Sequence, residues 1–343
     1  MLTAKQNMQE LIRCGKPERF VNQYEAVYQL SHPYNKYAGR ASRGQMNILT
    51  AWGVTNSFPE NLPGAFPVHT PDKIVVKDIE HWRDYVKAPP LKFTDEEWAD
   101  CKAQYDAVDG TQAYKATFIA PGLFEHTHYL CEIANALTYY ITNPDEMNDL
   151  IKLLTEWELE LAEGICSNLK PDAIFHHDDW GSERSTFISP DMFADFFLEP
   201  YKQIYGYYHD HGVDLVIHHS DSYAATLVPH MIEMGINVWQ GCLVSNNIPE
   251  LIDKYGGKIT FMGGIDNKFV DFVGWTREDC KIAARMACDI SRKSFIPCIT
   301  QGGPGSVYAG TYETLTEEID KYSIELFGIK ESDITRLPLQ SET

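Results

Sequence analysis

Residues 213–222 have the sequence VDLVIHHSDS, in which a short apolar run ends abruptly in histidine, serine and aspartate. Four other short apolar runs also end in polar or glycine-rich sequence, at 172–175, 236–240, 258–262 and 294–299. Short runs without polar alternation are typical of strands that are buried on both faces of a parallel sheet. These five runs therefore predict the centre of the fold.

Amphipathic stretches lie between and after the runs and predict helices over 146–163, 189–211, 224–234, 249–255, 276–291 and 315–327. Strands that alternate with helices form either a doubly wound sheet or a barrel. No glycine-rich phosphate loop follows an early strand, and polar residues follow strand after strand. Both observations favour an α/β fold of the (β/α)8 TIM barrel type.

The 343 residues contain no linker rich in Pro, Gly and Ser that would divide the chain. An α/β barrel of this length is commonly one domain. We therefore predict a single (β/α)8-barrel domain over residues 1–343, with a helical and loop elaboration over about residues 1–110. Within the elaboration, residues 53–95 are rich in Pro, Gly and Asn, which indicates long loops that cap one end of the barrel.

The net charge of −20 excludes some classes of partner. A surface this acidic repels nucleic acid and anionic membranes, so we expect neither as a partner. No apolar run approaches the roughly 18 residues that span a bilayer, and the N-terminal sequence has the pattern of an amphipathic helix rather than of a signal peptide. Eight scattered cysteines without a CxxC pair indicate a reducing compartment, so we predict a cytoplasmic protein.

The carboxyl ends of parallel barrel strands lie on one face, so the polar residues that follow them are expected to converge on one site. Histidine and aspartate at this edge can act as acid, base or substrate anchor. The candidate catalytic residues are His177, His218, Asp178 and Asp179. Neighbours on a strand end point in opposite directions, so one member of each adjacent pair is expected to face the site, and two adjacent acids can also simply cap the following helix.

A metal site is predicted from residues on two of these strand ends. His219 and Asp221 supply nitrogen and oxygen donors, and Cys298 adds a thiolate from a later strand, which together suit zinc. Three protein ligands leave one position open for a substrate. The alternative is that the histidine is a hydrogen-bonded core residue and the cysteine a buried thiol.

Glycine and amide residues after the last two predicted strands are candidates for cofactor binding. Gly263 and Gly264 allow a ligand to approach the backbone closely, and Asp266 can bond a polar group there. A tight turn explains the glycines equally well. Gln301 and Gly302 begin a glycine-rich loop, 301–305, which lacks the GK[ST] of a phosphate loop.

Several segments resemble the uroporphyrinogen decarboxylase-like superfamily: HHDDWG at 176–181, TFISPDMFADFFLEPY at 186–201, MGGID at 262–266 and CITQGGPG at 298–305. WGVTNSFPENLPGAFPVHTP at 52–71 and KDIEHWRDYVKAPPL at 77–91 resemble the corrinoid-dependent methyltransferase branch of that superfamily. The resemblance covers nearly the whole chain and implies a (β/α)8 barrel.

The resemblance also implies a chemistry. Methyltransferases of this branch that serve coenzyme M use a His-x-Cys pair and a distant cysteine to bind zinc. Here His219-Ser220-Asp221 corresponds to the pair and Cys298 to the distant cysteine, so Asp221 replaces one thiolate, or Ser220 does if His218 is the matching histidine. A harder ligand set suits an oxygen substrate. The implied function is an O-demethylase methyltransferase, which moves a methyl group from an aromatic methyl ether to the cobalt of a separate corrinoid protein.

Three alternatives remain open from the sequence. One is a methyltransferase that runs from a methylated corrinoid to tetrahydrofolate or a thiol, and another is a decarboxylase of the uroporphyrinogen type. The segment Ala38–Arg43 partly matches the arginine motif with which those decarboxylases hold substrate carboxylates, but 29 basic against 49 acidic residues disfavour a polyanionic tetrapyrrole. The third alternative is a non-catalytic corrinoid-binding subunit. The capping region is also a candidate surface for a homodimer.

Overall fold

The computed structural model describes residues 1–60, 62, 64–304, 306–334 and 336. Position 305 of the predicted glycine-rich loop lies outside the described residues. The strands of the described part are β1 (Val27–Leu30), β2 (Ile48–Leu49), β3 (Thr55–Ser57), β4 (Phe66–Pro67), β5 (Tyr114–Ile119), β6 (Ala173–His177), β7 (Leu215–His219), β8 (Val238–Cys242), β9 (Thr260–Ile265) and β10 (Phe295–Ile299).

The helices of the described part are α1 (Ala4–Ile12), α2 (Trp82–Tyr85), α3 (Asp95–Ala107), α4 (Leu123–Cys131), α5 (Ile133–Thr142), α6 (Pro144–Asn168), α7 (Pro190–Phe193), α8 (Glu199–Asp210), α9 (Val228–Glu233), α10 (Ile248–Tyr255), α11 (Arg277–Cys288) and α12 (Thr311–Phe327). A π-helical segment, Ala194–Leu198, joins α7 to α8. No helix of the described part is long and apolar enough to cross a membrane.

Seven strands form one parallel sheet in the order β1-β5-β6-β7-β8-β9-β10. The strands lie side by side in the same order in which they occur in the chain, so the sheet curls in one direction. Helices cover its outer face, because parallel neighbours need a crossover connection. The architecture is therefore α/β with a curled parallel sheet, as the alternation of apolar runs and helices predicts.

The predicted eight-stranded barrel differs from the sheet of seven strands that the described residues form. The two edges of the sheet nevertheless meet at Gln23: its backbone N–H donates to Pro297 O (3.2 Å), and its side-chain Oε1 accepts from Ile299 N (3.4 Å). Gln23 has a φ of 52°, a left-handed conformation that cannot continue a strand. Among the described residues, the edges β1 and β10 are therefore joined by hydrogen bonds of Gln23 without a strand ladder between them.

Alternation along β6 and β7 decides which side chains reach the centre of the curled sheet. Ile174 and Val216 pack on the outer face against the helices, whereas Phe175 and Ile217 belong to a separate cluster inside. The register pairs His176 with His218 and His177 with His219. Each strand therefore contributes one histidine to the outer face and one to the inner face.

Two regions differ from the sequence expectations. The run predicted at 172–175 extends to 177, so two histidines belong to the strand itself. The capping region 53–95 contains β3 and β4 as well as loops, and these two strands form a three-stranded antiparallel sheet, β2-β3-β4, with β2 just before the region. Its strands have two or three residues each, too few to produce a recognisable alternation of apolar and polar positions.

Candidate active site

The inner histidines of β6 and β7 form the centre of the candidate site. The rings of His177 and His219 stack with their centroids 4.4 Å apart and an angle of 23° between their planes. This spacing follows from the backbone, because neighbouring strands lie about 4.8 Å apart and the two residues are register partners. Both imidazoles therefore face the same space at the carboxyl end of the sheet.

A buried carboxylate holds the first imidazole. Nδ1 of His177 lies 2.9 Å from Oε2 of Glu125 on α4, and Tyr129 O–H donates to Oε1 of the same carboxylate (3.1 Å). Burial, and then the charge of Asp179, raise the pKa of Glu125 well above its ordinary value. Burial also lowers the pKa of His177. With Nδ1 engaged by the carboxylate, Nε2 of His177 is the nitrogen left for another partner.

An amide holds the second imidazole. Nδ1 of His219 hydrogen-bonds Oε1 of Gln240 on β8, and Nε2 of that amide donates to Ile299 O (3.3 Å). Burial and the neighbouring His177 lower the pKa of His219 to about 4, so the ring is neutral near pH 7. Nε2 of His219 is likewise the nitrogen left for another partner.

Two carboxylates stand beside this nitrogen. Asp179 Oδ1 lies 4.0 Å and Asp221 Oδ2 lies 3.9 Å from Nε2 of His219. The backbone N–H of Asp221 donates to Asp179 Oδ1 (2.9 Å), which keeps the two acids together. Burial, and then the charge of Asp179, raise the pKa of Asp221 to about 9, while a hydrogen bond from Gln301 opposes the rise. The Asp221 carboxyl group therefore carries a proton at neutral pH.

The donor set suits a divalent metal ion. Among the described residues, His177, Asp179 and His219 each place one ligand atom within 4.8 Å of the other two. Two imidazoles and one carboxylate are a common protein ligand set of catalytic zinc, which keeps a further position open for substrate. The hydrogen bonds on the two Nδ1 atoms match the outer-shell pattern that orients metal-binding histidines. The residues present therefore fit a metal such as zinc.

This group differs from the predicted ligands His219, Asp221 and Cys298. His219 belongs to it and Asp221 adjoins it, but Cys298 does not enter it. The Cys298 thiol is fully buried within β10 beside Gln240 and Tyr24, and burial raises its pKa far above the ordinary range. It is a neutral thiol next to the amide that holds His219. His177 and Asp179, predicted as catalytic, take the other places in the group.

Asp178 points away from this group. Its buried carboxylate accepts hydrogen bonds from the backbone of Phe124 (3.0 Å) and Glu125 (2.8 Å), from Trp180 Nε1 (2.8 Å) and from Tyr201 O–H. Burial and the nearby Glu125 raise its pKa to about 7. Asp178 binds the first turn of α4 and thereby positions Glu125 against His177.

The outer histidines form a separate buried network. His218 Nε2 donates to Asp178 O (3.2 Å), so its Nδ1 accepts from Tyr205 O–H (3.0 Å). Tyr205 in turn accepts from Nδ1 of His176 (2.6 Å), whose Nε2 lies 3.0 Å from Glu158 Oε1 in an ion pair without well-directed hydrogen-bond angles. His218, predicted as catalytic, therefore lies on the face of the sheet opposite His219.

The two glycines predicted to admit a ligand face the protein itself. A Cβ at Gly263 would lie 2.3 Å from Cys242 O, at a β-bulge between β8 and β9. A Cβ at Gly264 would meet the ring of Phe295 at 2.8 Å. Both glycines are required by packing between strands and helices. The direction in which each Cβ would point is therefore filled by protein atoms, and the binding of a cofactor to these two glycines stays a prediction.

The remaining candidates for cofactor binding have mixed environments. Asp266 caps a short helical turn by accepting from Lys268 N (2.9 Å). Gly302 has a φ of 73° and sits against Ser306, where a Cβ would come within 2.5 Å of the hydroxyl oxygen. Gln301 is the one that reaches the site, through its hydrogen bond to Asp221.

Several residues of the site were not found from the sequence. Glu125 and Gln240 each hold a histidine through contacts between distant segments. Glu158 left a clearer signal, because it is an acid on the apolar stripe of α6, between the buried Leu154 and Leu161. Arg40, noted only in the partial arginine motif, lies over the Phe118 ring at 5.3 Å. Its charge lowers the pKa of Glu125, against the larger effect of burial, and it adds to the lowering of the pKa of His177 and His219 by burial.

Comparisons with known proteins give one family and one fold. Residues 49–301 match the family Uroporphyrinogen decarboxylase (URO-D). A methyltransferase from Methanosarcina mazei has a similar structure, with a TM-score of 0.67, 12% sequence identity, and coverage of 94% of this chain and 99% of that one. At this identity the likeness concerns the fold. No curated protein sequence gives a significant match.

Proposed function

Since the chain belongs to the uroporphyrinogen decarboxylase (URO-D) family, we propose that it is a cytoplasmic methyltransferase of that family. Its substrate is an aromatic methyl ether, and its methyl acceptor is the cobalt of a separate corrinoid protein. The curled sheet acts as the (β/α)8 barrel of such an enzyme, with the substrate entering at the carboxyl ends of the strands. The similar fold of the archaeal methyltransferase supports this proposal.

The observation that carries the proposal is the donor set of the site. His177, Asp179 and His219 offer two nitrogens and a carboxylate oxygen, and the thiol of Cys298, the cysteine expected as a ligand, is buried and neutral. A set without thiolate is harder than the thiolate sites that activate thiols, and it suits a substrate that binds through oxygen. When bound there, zinc supplies Lewis-acid stabilisation of negative charge on the substrate oxygen.

The residues of the chain supply a proton at the same place. Aryl ethers are poor methyl donors because negative charge develops on the phenol oxygen as the C–O bond breaks. Asp221 holds a proton at neutral pH, beside Asp179 and the free Nε2 of His219. Transfer of that proton to the oxygen releases a neutral phenol. The methyl carbon bonds to the reduced cobalt of the partner, whose electron pair forms the new bond.

The rim above the site carries exposed apolar residues from three successive strand ends. Val244 follows β8, Phe269 and Val273 follow β9, and Tyr308 follows β10, with 56%, 68%, 81% and 48% of their surface exposed. The partner must bring its cobalt to the strand ends, so this rim is the surface on which we place it. Apolar residues that surround an opening are typical of a protein interface.

The test combines metal analysis with a methyl-transfer assay. The purified protein is mixed with zinc, reduced corrinoid protein and a panel of methoxyarenes, and the methylated corrinoid is followed by its absorption spectrum. We expect one zinc per chain, methylation of cobalt with at least one ether, and loss of both in His219→Asn. Full activity of the metal-free protein, or no methylation with any ether, contradicts the proposal. Release of CO2 from aromatic acids would indicate the decarboxylase alternative instead.

A further inference from the structure

We propose that Gln240 is a positioning residue that fixes which nitrogen of His219 carries the proton. Through this contact it keeps Nε2 of His219 as the atom offered to a metal ion. The inference rests on the proposed function, because it concerns the same group of ligands. It adds a residue on β8, outside that group, whose chemistry decides whether one of the ligands is available.

The orientation of the Gln240 amide follows from its surroundings. Its Nε2 donates to the backbone carbonyl of Ile299 at 3.3 Å, and that oxygen can only accept. Gln240 also hydrogen-bonds the Cys298 thiol on the same strand, β10. The amide oxygen must therefore point the other way, towards His219. Gln240 is fully buried, so no solvent molecule competes for either end.

The protonation of His219 follows in turn. The amide oxygen of Gln240 is an acceptor, so Nδ1 of His219 must carry the hydrogen that it receives. In a neutral imidazole the other nitrogen then has a lone pair. The backbone carbonyl of Ile299 thus determines, through the orientation of the Gln240 amide, which nitrogen of His219 carries the hydrogen.

A competing arrangement makes this control necessary. Asp179 places an oxygen 4.0 Å from Nε2 of His219, beyond hydrogen-bonding distance but close enough for its charge to attract a proton on that nitrogen. Without an acceptor at Nδ1, the charge of Asp179 would favour the tautomer with hydrogen on Nε2. That tautomer cannot bind a metal through Nε2. Gln240 therefore acts against the electrostatic preference of the site itself.

The test compares two substitutions of similar size. Gln240→Met removes the acceptor while it retains much of the side-chain volume, and Gln240→Glu keeps an acceptor at the same place. The tautomer of His219 is read from 15N shifts of labelled histidines in metal-free protein, with His219→Asn used to assign the signal. Zinc affinity is measured by competition with a chelator, without substrate or corrinoid.

We expect hydrogen on Nδ1 in the wild type and in Gln240→Glu, and a shift towards Nε2 in Gln240→Met. Loss of an outer-shell partner lowers metal affinity about 10- to 100-fold, so we expect a decrease of that size in Gln240→Met and less than about threefold in Gln240→Glu. A Gln240→Met protein with hydrogen on Nδ1 and unchanged zinc affinity overturns the inference. If that variant does not fold, hydrogen on Nε2 in the wild type or in Gln240→Glu overturns it.

The outcome does not depend on methyl transfer. A protein that shows the expected tautomers and zinc affinities but methylates no corrinoid would contradict the proposed function and leave the role of Gln240 intact. If the wild type methylates corrinoid while the Gln240→Met variant has the same tautomer and zinc affinity as the wild type, the role of Gln240 is contradicted and the proposed function is left intact.

Discussion

Two pairs of histidines occupy neighbouring positions on β6 and β7 and differ in the face to which they point. His176 and His218 face the helices, where tyrosine, carboxylate and backbone groups engage their nitrogens. His177 and His219 face the centre, where the hydrogen bonds of the described residues engage Nδ1 of each ring. The same residue type therefore serves packing in one pair and offers a free nitrogen in the other, and a shift of one residue along the strand makes the difference.

This comparison predicts that mutations of the outer pair and of the inner pair change different measured properties. Changes to the outer pair and its partners should alter the stability of the protein, because those groups are buried and paired. Changes to the inner pair should alter metal binding, because each ring has a nitrogen without a structural partner.

The largest effect is expected for Glu158→Leu, which leaves His176 buried without its acidic partner. Removing one member of a buried ion pair costs about 3–5 kcal/mol, and we expect the free energy of unfolding to fall by that amount in urea titrations. The control is Glu160→Leu, two residues along α6 on its exposed side, with an expected change below about 0.5 kcal/mol. Equal effects of the two substitutions would show that the outer network does not stabilise the fold.

The next effect concerns the inner pair. We expect His177→Asn and His219→Asn each to lower zinc affinity more than about 100-fold, because losing a ligand costs more than losing its outer-shell partner. Unfolding of the metal-free variants should change much less than in Glu158→Leu. His211→Asn, on the surface at the end of α8, is the matched control and should bind zinc like the wild type. Retention of wild-type zinc affinity in His219→Asn would remove the distinction between the two faces.

A smaller effect is expected from pH. Burial alone would lower the pKa of His176, but Glu158 raises it above its ordinary value. The folded protein therefore holds this proton more tightly than the unfolded chain does. The contribution of this proton to the free energy of unfolding is complete below the pKa of histidine in the unfolded chain, about 6.5. It is lost as pH rises through the pKa of His176 in the folded protein.

The measurement is the free energy of unfolding of metal-free protein between pH 6 and pH 9. Each unit of pKa difference contributes about 1.4 kcal/mol, so the wild type should lose stability above pH about 6.5 relative to Glu158→Gln. Parallel curves for the two proteins would mean that the Glu158 carboxylate does not hold a proton on His176.

The smallest effect is expected for Cys298→Ser. Its thiol is neutral and lies outside the ligand group, so zinc affinity should change less than about twofold, and stability by about 1 kcal/mol. A decrease in zinc affinity of more than about tenfold would restore Cys298 to the ligand set and show that the site is softer than its inner histidines indicate.

Sequence alone predicted the parallel sheet and the polar residues at its carboxyl edge, because apolar runs and their ends are local patterns. It did not decide which histidine of each pair faces inward. Both faces of β6 are buried, since Ile174 and Phe175 pack into different apolar clusters, so the sequence of the strand does not show which face is the inner one.

The partners of the histidines were beyond local patterns. Glu125 meets His177, and Gln240 meets His219, only after distant segments have packed together. Asp178 looked equivalent to Asp179 in the sequence, but its carboxylate binds the start of α4 while that of Asp179 joins the ligand group. Asp178 and Asp179 can be distinguished only by the residues that each carboxylate contacts in the folded protein.

The seam at Gln23 has a mechanical consequence for the ring of strands. Elsewhere in the sheet, separating two neighbouring strands breaks a strand ladder, whereas in the described part of the chain the two edges are joined by hydrogen bonds of Gln23 and Tyr24. Local opening begins where the fewest bonds must break. We therefore expect the wall to widen more readily along this line than between β6 and β7, where the paired histidines lie.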